Sequence, residues 1–321
     1  MQLTNNHRII LLYCTVFILI SFITVYLPVW LFDIVGLSYK SIGLLLATTG
    51  FLKIFSNIFI TISVRDTNKQ RNILIFTTFC IIVLFGTIIY IQNQQDKIII
   101  ALVFFSLLIF SPTLPLVENI CISLTQNFQS SYGKYRLIGS IAFLLSVLII
   151  GFWVDKFKTE SLPKLFILCL CLFLFSVLLL PKDKNKIITY KKTNLLKLLI
   201  DKKYFLVLIS CSIILASHAM YYGFSTIFWN QNNLSYSKIG LLWSWGVFAE
   251  IIFFIFINKV DIEKFFFRAI LLSGLLSAFR WLMTYFLDNY YLIFLDVFYI
   301  LHTFLYSKGF FCYFNKFIYL S

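Results

Sequence analysis

Residues 181–204, PKDKNKIITYKKTNLLKLLIDKKY, decide how this chain is organised. Eight residues of this stretch are lysines, and the regions on both sides of it are strongly apolar. Lysine-rich segments beside apolar runs are typical of loops that stay on the cytoplasmic side of a membrane. The stretch therefore predicts a cytoplasmic linker between two groups of membrane-spanning helices.

The composition of the whole chain excludes an ordinary soluble domain. Of its 321 residues, 60% are hydrophobic and 12% are charged, and the mean hydropathy is +0.91. Soluble domains are about half apolar and about a quarter charged. No soluble fold could bury so much apolar surface, so lipid must be the solvent of this chain. The abundance of Phe, Ile, Asn and Lys is typical of AT-rich bacterial genes and favours a bacterial inner membrane.

Ten apolar runs reach the length of about 20 residues that a membrane-crossing helix needs. Six precede the lysine-rich linker and four follow it. We therefore predict an all-α membrane protein with a six-helix bundle at 1–181, a basic linker at 182–203, a four-span bundle at 204–306 and an aberrant tail at 307–321. The runs are residues 9–34, 42–64, 72–92, 98–121, 137–155, 162–181, 204–229, 239–258, 265–287 and 289–306.

The net charge of +14 lies mostly in short loops between the runs. Because these charges form no continuous basic face, a nucleic-acid partner is not predicted. With the N-terminus in the cytoplasm, most of the loop lysines and arginines lie inside, as multi-pass membrane proteins prefer. The loop with Lys156 and Lys158 is an exception. We expect the protein to act as a monomer in the lipid bilayer.

Five motifs carry a resemblance to a known family. They are PTLPLVENI (112–120), YGKYRLIGSIAF (132–143), HAMYYGFSTIFW (218–229), YSKIGLLWSWGVFAEI (236–251) and LHTF (301–304). These motifs resemble the phenylpropionate permease branch of the major facilitator superfamily, which is also called lactose-permease-like. This resemblance implies two bundles that rock around a site at the membrane midplane. It also implies proton-coupled movement of a small organic solute, such as an aromatic acid, a sugar or a nucleoside.

Ionisable residues at membrane depth are candidates for function, because a charge at the bilayer centre costs about 3 kcal/mol or more. A rise of about 1.5 Å per residue places Glu250 and His218 both about 18 Å below the outer surface. Because consecutive antiparallel helices usually pack together, these two residues can face each other. Arg280 and Asp296 lie about 12 Å deep and His302 about 21 Å deep.

The resemblance assigns roles to some of these residues. It implies that Glu250, Arg280 and His302 carry proton coupling. A buried carboxylate holds its proton firmly and releases it near an arginine, so rocking that changes its neighbours can move a proton. The resemblance also implies that Glu118 and Arg136 form an acid–arginine pair that binds substrate. Arg136 lies close to the predicted end of its span, so an anchor at the membrane surface is the alternative.

The HAMYYGFSTIFW motif predicts a cavity-lining face on span seven. His218, Tyr222 and Ser225 recur at helical spacings of four and three, so they lie on one side of a helix. With Trp243 they are predicted to bind substrate. Each residue also has a structural alternative. The histidine could form a hydrogen bond between two helices, and the aromatic residues could lie in the belt at the membrane–water interface. Arg280 could likewise extend towards the outer surface.

Two other functions are alternatives to transport. A lipid-modifying membrane enzyme would need clustered acids or donor-binding loops, and the loops here are short and lysine-rich. A truncated or frameshifted inactive paralogue is the other alternative, because the family has twelve spans and only ten are counted before LYSKGFFCYFNKFIYLS (305–321). Without a Gly-rich phosphate loop, no cofactor is expected. Seven cysteines without a CxxC pair predict no metal site.

The predicted topology can be tested by labelling in intact cells. A cysteine introduced as Lys191→Cys should not react with an impermeant maleimide, because the linker lies in the cytoplasm. Lys158→Cys, in a loop on the opposite side, should react. Labelling at position 191 with protection at position 158 would invert the topology.

Overall fold

A computed structural model describes residues 4–64, 66–91, 96–124, 128–181, 202–257 and 266–286. Most of these residues are helical and none of them belongs to a strand, which confirms the all-α class. Within them, seven helical segments are long and apolar enough to cross a membrane. These are Asn5–Asp33, Tyr39–Ile60, Thr67–Ile91, Lys97–Leu124, Lys134–Phe157, Thr159–Leu178 and Phe205–Gln231.

The described parts of the chain contain twelve α-helices, of which the last two coincide with the eighth and ninth apolar runs. The tenth run, most of the linker and the tail lie outside the described residues. The helices are α1 (Asn5–Ser21), α2 (Leu27–Asp33), α3 (Tyr39–Ser63), α4 (Thr67–Ile91), α5 (Asp96–Phe110), α6 (Thr113–Leu124), α7 (Phe128–Phe157), α8 (Leu162–Leu178), α9 (Lys202–Ser217), α10 (Ala219–Gln231), α11 (Tyr236–Ile257) and α12 (Phe266–Phe286).

Large apolar side chains cover the outside of the helices. Phe59 on α3 is 72% exposed and Phe76 on α4 is 69% exposed, and Ile149 on α7 is similarly uncovered. Exposed apolar surface on this scale would drive a soluble protein to aggregate. In a bilayer the same surface contacts lipid tails, so the exposed residues agree with the membrane assignment.

Three spans depart from regular helix. In span one, a π-helical turn (Phe22–Tyr26) joins α1 to α2, and Pro28 follows it. Proline has no N–H for the regular ladder, so a rearranged turn before it is expected. Span four is interrupted between α5 and α6 at Ser111 and Pro112, and proline cannot donate to the regular helical ladder. Span seven is interrupted at His218, where no proline or glycine gives a signal.

The chain divides into two compact units that do not follow chain order alone. The first unit contains the first six spans together with Gly223–Gly240, which is the hairpin joining α10 to α11. The second unit contains the chain before that hairpin, up to Tyr222, and the chain after it, from Leu241. The hairpin therefore packs with the first six spans, although the linker lies between them and the hairpin in the sequence.

Polar contacts between helices join the first unit. Thr15 Oγ1 on α1 lies 2.9 Å from Ser176 Oγ on α8, and both side chains are buried. Ser21 Oγ on α1 lies 2.6 Å from Ser146 Oγ on α7. Lipid tails are as apolar as leucine, so helices in a membrane associate through packing and such hydrogen bonds. These pairs fix α1 against α7 and α8.

Close packing between α1 and α7 depends on Gly139. A Cβ atom at this position would lie only 2.7 Å from Cδ2 of the Phe17 ring. The ring of Phe17 in turn lies under the Arg136 guanidinium, whose carbon is 5.2 Å from the ring centroid. Because Gly139 has no side chain, the Phe17 ring can lie beneath the guanidinium of Arg136, one of the predicted substrate-binding residues.

Gly139→Ala should destabilise the protein, because the new methyl group would displace the Phe17 ring. Overpacking of this kind costs about 1–3 kcal/mol. Gly86→Ala is the matched control, since a Cβ there has no neighbour within 4 Å and alanine favours a helix. Thermal unfolding in detergent should give a clearly lower Tm for Gly139→Ala alone. Equal Tm values for the two variants would contradict the packing described.

Candidate functional site

His218 occupies the break between α9 and α10 in the second unit. Its side chain is only 1% exposed. Nδ1 lies 2.8 Å from the carbonyl oxygen of Ile214 and 3.2 Å from Oγ of Ser217. Because a carbonyl oxygen can only accept, Nδ1 donates its proton in this contact. The break in the helix thus fixes the orientation of the imidazole.

Three aromatic rings, which we name the aromatic cluster, lie beside the histidine. They belong to Tyr221 and Tyr222 on α10 and Trp243 on α11. The Tyr221 centroid is 4.7 Å from that of Trp243 and 5.8 Å from that of Tyr222, and Tyr222 is 5.9 Å from Trp243. Tyr221 and Trp243 are buried, whereas Tyr222 is 44% exposed. The cluster therefore has two inner rings and one ring with an accessible face.

Arg280 on α12 places a positive charge on this cluster. Its side chain is 2% exposed, and its guanidinium carbon lies 4.5 Å from the Tyr221 ring centroid. The Trp281 centroid is 5.5 Å away from the same carbon. A cation over an aromatic face is attracted by the ring, and burial strengthens that attraction. The guanidinium thus lies inside the unit and does not extend to the outer surface.

A contact between α9 and α12 sets the position of Arg280. Ser217 Oγ lies 3.2 Å from Ser277 Oγ. Ser277 precedes Arg280 by three residues and therefore lies on the same face of α12. Below this contact, Ile270 packs against a buried apolar group of Val207, Cys211 and Ile214. The two contacts hold the arginine-bearing face of α12 towards the helices that carry His218 and Tyr221.

Glu250 lies on α11, seven residues after Trp243. Seven residues are about two helical turns, so the two positions share one stripe of the helix. The side chain of Glu250 is outside the described residues, as are Asp296 and His302. The proton-coupling roles of Glu250 and His302 therefore stay predictions.

The predicted substrate residues divide between the two units. His218, Tyr222 and Trp243 come together in the second unit, with the His218 and Tyr222 ring centroids 6.5 Å apart. Ser225 belongs to the hairpin that packs with the first unit, and its hydroxyl oxygen is buried. The structure thus groups Arg280 with three of the predicted residues. Tyr221 contacts the guanidinium, but no sequence signal distinguished it from the other aromatic residues of its motif.

Glu118 and Arg136 form the predicted pair in the first unit. Arg136 Nη1 lies 3.3 Å from Glu118 Oε1, and the two side chains are 40% and 31% exposed respectively. Because α7 begins at Phe128, Arg136 lies about two turns inside the helix. The apolar part of this helix begins at Lys134, two residues before Arg136, so both the substrate-binding role and the anchor at the membrane surface stay predictions. The helix α7 begins before the predicted apolar run at 137–155, because the polar residues that precede this run are also helical.

The buried guanidinium and the aromatic cluster together suit one kind of ligand. A guanidinium presents paired N–H donors that match a carboxylate. Aromatic rings offer flat apolar faces for a second ring. In chemical terms, a guanidinium beside aromatic rings is complementary to an anion with an aromatic body.

The sequence pattern of the MFS_1-like family matches residues 7–312. The chain belongs to this family. It is 27% identical to the "Probable 3-phenylpropionic acid transporter" of Escherichia coli over 284 residues, which are 88% of this chain and 74% of that protein. It is 25% identical to the "Uncharacterized transporter YwbF" of Bacillus subtilis over 191 residues, 59% of this chain and 47% of that one.

The crystal structure of the nucleoside transporter NupG has the same fold. The TM-score is 0.74 at 12% sequence identity, and the match covers 96% of this chain and 81% of that one. The likeness confirms the major facilitator fold that the motifs predicted. Together, the family and its relatives place the chain among multi-pass membrane transporters.

Proposed function

We propose that this protein is a secondary active transporter that moves a small aromatic carboxylate together with protons. The observation that carries the proposal is the buried Arg280 guanidinium, which lies against Tyr221 of the aromatic cluster. The charge bias of the loops supports a bacterial inner membrane with a cytoplasmic N-terminus. The name of the Escherichia coli relative, a 3-phenylpropionic acid transporter, agrees with this substrate class.

The physical argument for an acid rests on the cost of burying a charge. A guanidinium removed from water loses hydration that only strong partners replace. A carboxylate can receive two parallel N–H bonds from it, and these bonds are stronger in a site with little water. The phenyl ring of such an acid would lie along the aromatic cluster, where Tyr222 has an accessible face. The substrate would thus engage the cation and the rings together.

A sugar or a nucleoside is the second candidate substrate. Either could lie on an aromatic face, and the structurally similar NupG is a nucleoside transporter. Neither carries a negative charge for the Arg280 guanidinium to attract. The likeness to NupG at 12% identity concerns the fold alone. The buried cation therefore favours the acid.

Proton coupling is assigned to Glu250, with His302 as a second titrating group. Glu250 follows Trp243 by two turns of α11, so the two positions lie along one stripe. A carboxylate in a dry site stays protonated until a positive group approaches it. If the transport cycle changes the distance between Glu250 and Arg280, the acid can take up a proton on one side and release it on the other.

The proposed role of Arg280 predicts a specific loss of anion recognition. The purified protein should bind 3-phenylpropionate more tightly than the matching neutral amide. Arg280→Gln should weaken binding of the acid by at least about tenfold, because a charge-assisted bond is lost. Binding of the amide should change little. Both affinities can be measured by isothermal titration calorimetry, with counterflow of the acid into proteoliposomes as a functional readout.

Arg71→Gln is the control for this test. Arg71 donates hydrogen bonds to the carbonyl oxygens of Val177 and Leu178 and lies far in sequence from the aromatic cluster. It should leave the preference for the acid unchanged. If Arg280→Gln weakened binding of the acid and of the amide equally, the acid assignment would be wrong. It would also be wrong if the protein bound only sugars and nucleosides.

Glu250→Gln should separate coupling from binding. A fixed neutral amide cannot carry a proton but can keep the site in its binding form. We expect uphill accumulation driven by a proton gradient to be lost while exchange of labelled for unlabelled substrate continues. Uptake into proteoliposomes with and without an imposed pH gradient measures both. Unchanged uphill uptake by this variant would remove Glu250 from the coupling mechanism.

A further inference from the structure

Asp155, at the last turn of α7, binds the first residues of another helix. Its Oδ1 accepts a hydrogen bond from the backbone N–H of Tyr236 at 2.8 Å. Its Oδ2 accepts one from the backbone N–H of Ser237 at 2.9 Å. Tyr236 begins α11, so one carboxylate holds two of the N–H groups at the start of that helix. All these residues belong to the first unit.

This arrangement differs from ordinary helix capping. The first N–H groups of a helix have no partner within it and carry partial positive charge. A side chain just before the helix normally accepts from them. Here Ser235 is in that position. Its Oγ accepts a long bond, at 3.5 Å, from the backbone N–H of Lys238 and lies 3.0 Å from Oγ of Ser237. The stronger cap comes from Asp155, 81 residues away in sequence.

A second carboxylate binds the same helix start. The hydroxyl of Tyr236 donates to Oδ2 of Asp33 at 2.6 Å, and Asp33 ends α2. Further along the hairpin, the hydroxyl of Tyr39 on α3 donates to Oε1 of Gln231. Spans one, two and five thus each contribute one polar side chain that bonds the hairpin, and Asp155 on span five makes two of these bonds.

The backbones approach closely beneath these contacts. A Cβ atom at Gly151 on α7 would lie 2.5 Å from the carbonyl oxygen of Tyr236. A Cβ atom at Gly240 on α11 would lie 3.0 Å from the carbonyl oxygen of Val147. The hydroxyl of Tyr26, from the π-helical turn, donates to this same oxygen at 2.5 Å. We name these contacts, together with those of Asp155 and Asp33, the hairpin junction.

We propose that Asp155 is a positioning residue that latches the hairpin to the first six spans, and that this latch opens during each transport cycle. The proposal rests on the proposed transport function, because only an alternating protein needs a reversible contact here. The contacts that define the hairpin junction are made by residues other than those of the aromatic cluster and Arg280. Its role is therefore conformational, and it does not concern substrate recognition.

The exposure of the latch explains why it can open. Asp155 and Asp33 are both exposed at the end of the bundle, so water can replace each hydrogen bond when the hairpin leaves. Exposed charge-assisted bonds are worth less than buried ones for the same reason. The glycine contacts make the closed form fit closely, while the exposed carboxylates leave it reversible. A latch of buried charges would be too costly to open.

The test measures the distance between two spin labels across the hairpin junction, without substrate. The labels are attached at Lys164→Cys on α8 and Asn232→Cys in the hairpin, both exposed, in a chain whose native cysteines are replaced by alanine. Without further changes, one short-distance population should dominate. Asp155→Ala should move the ratio of separated to joined forms by about tenfold towards separation. Asp155→Asn should have a smaller effect, because one acceptor oxygen remains.

Two further variants make the result specific. Tyr236→Phe removes only the hydroxyl bond to Asp33 and should also favour separation, with the backbone N–H groups intact. Glu160→Ala removes an exposed acid at the same end of the bundle and should leave the distances unchanged. Unaltered distances in folded, monodisperse Asp155→Ala protein would overturn the proposal. So would loss of monodispersity in all three junction variants, since Asp155 would then be needed only for folding.

The distances also separate this proposal from the proposed substrate. If the junction variants change the distances but the protein does not bind aromatic acids, the latch stands and the substrate assignment falls. If acids bind and the distances stay unchanged, the transporter assignment stands and the latch falls.

Discussion

Lipid removes water as a hydrogen-bond partner, and the rest of this structure depends on that constraint. Every backbone N–H and C=O group within the bilayer must bond inside the protein, which leaves helices as the solution for these spans. Lipid also removes most of the hydrophobic attraction between helices. Helices here are joined instead by close approach at Gly139 and by paired hydroxyls such as Thr15 and Ser176. A regular helix is therefore the default, and each departure from it exposes backbone groups that neighbouring protein must satisfy.

The departures lie next to the residues with functional potential. His218 stands in the break of span seven and bonds the carbonyl oxygen of Ile214, a group that a regular helix would use itself. The break in span four lies one turn and a half before Glu118. The π-helical turn of span one places Tyr26 at the hairpin junction. In each of these three spans, a backbone irregularity thus lies within two helical turns of a polar side chain that makes a contact with another part of the protein or with the freed backbone.

The sequence predicted the class of fold well and the contacts poorly, for a physical reason. Apolar run length is a local property, so the described spans fall within a few residues of the predicted ones, apart from the polar start of α7. Arg280 was identified from depth alone, because a charge at that depth is costly whatever surrounds it. Tyr221 was not distinguished from its neighbours, and the Asp155 contact spans 81 residues. Contacts of that kind depend on how helices pack, which no local pattern encodes.

Charged side chains of this protein differ in their access to water, and the roles proposed for them follow from that difference. The guanidinium of Arg280 is removed from water, so its free energy changes strongly when a carboxylate or a proton arrives nearby. Such a group suits selection and coupling. Asp33 and Asp155 remain in contact with water, so their bonds can be exchanged at small cost. Such groups suit a contact that forms and breaks repeatedly. The proposed substrate recognition and the proposed conformational control use charges in different dielectric surroundings, so we expect substitutions to change them separately.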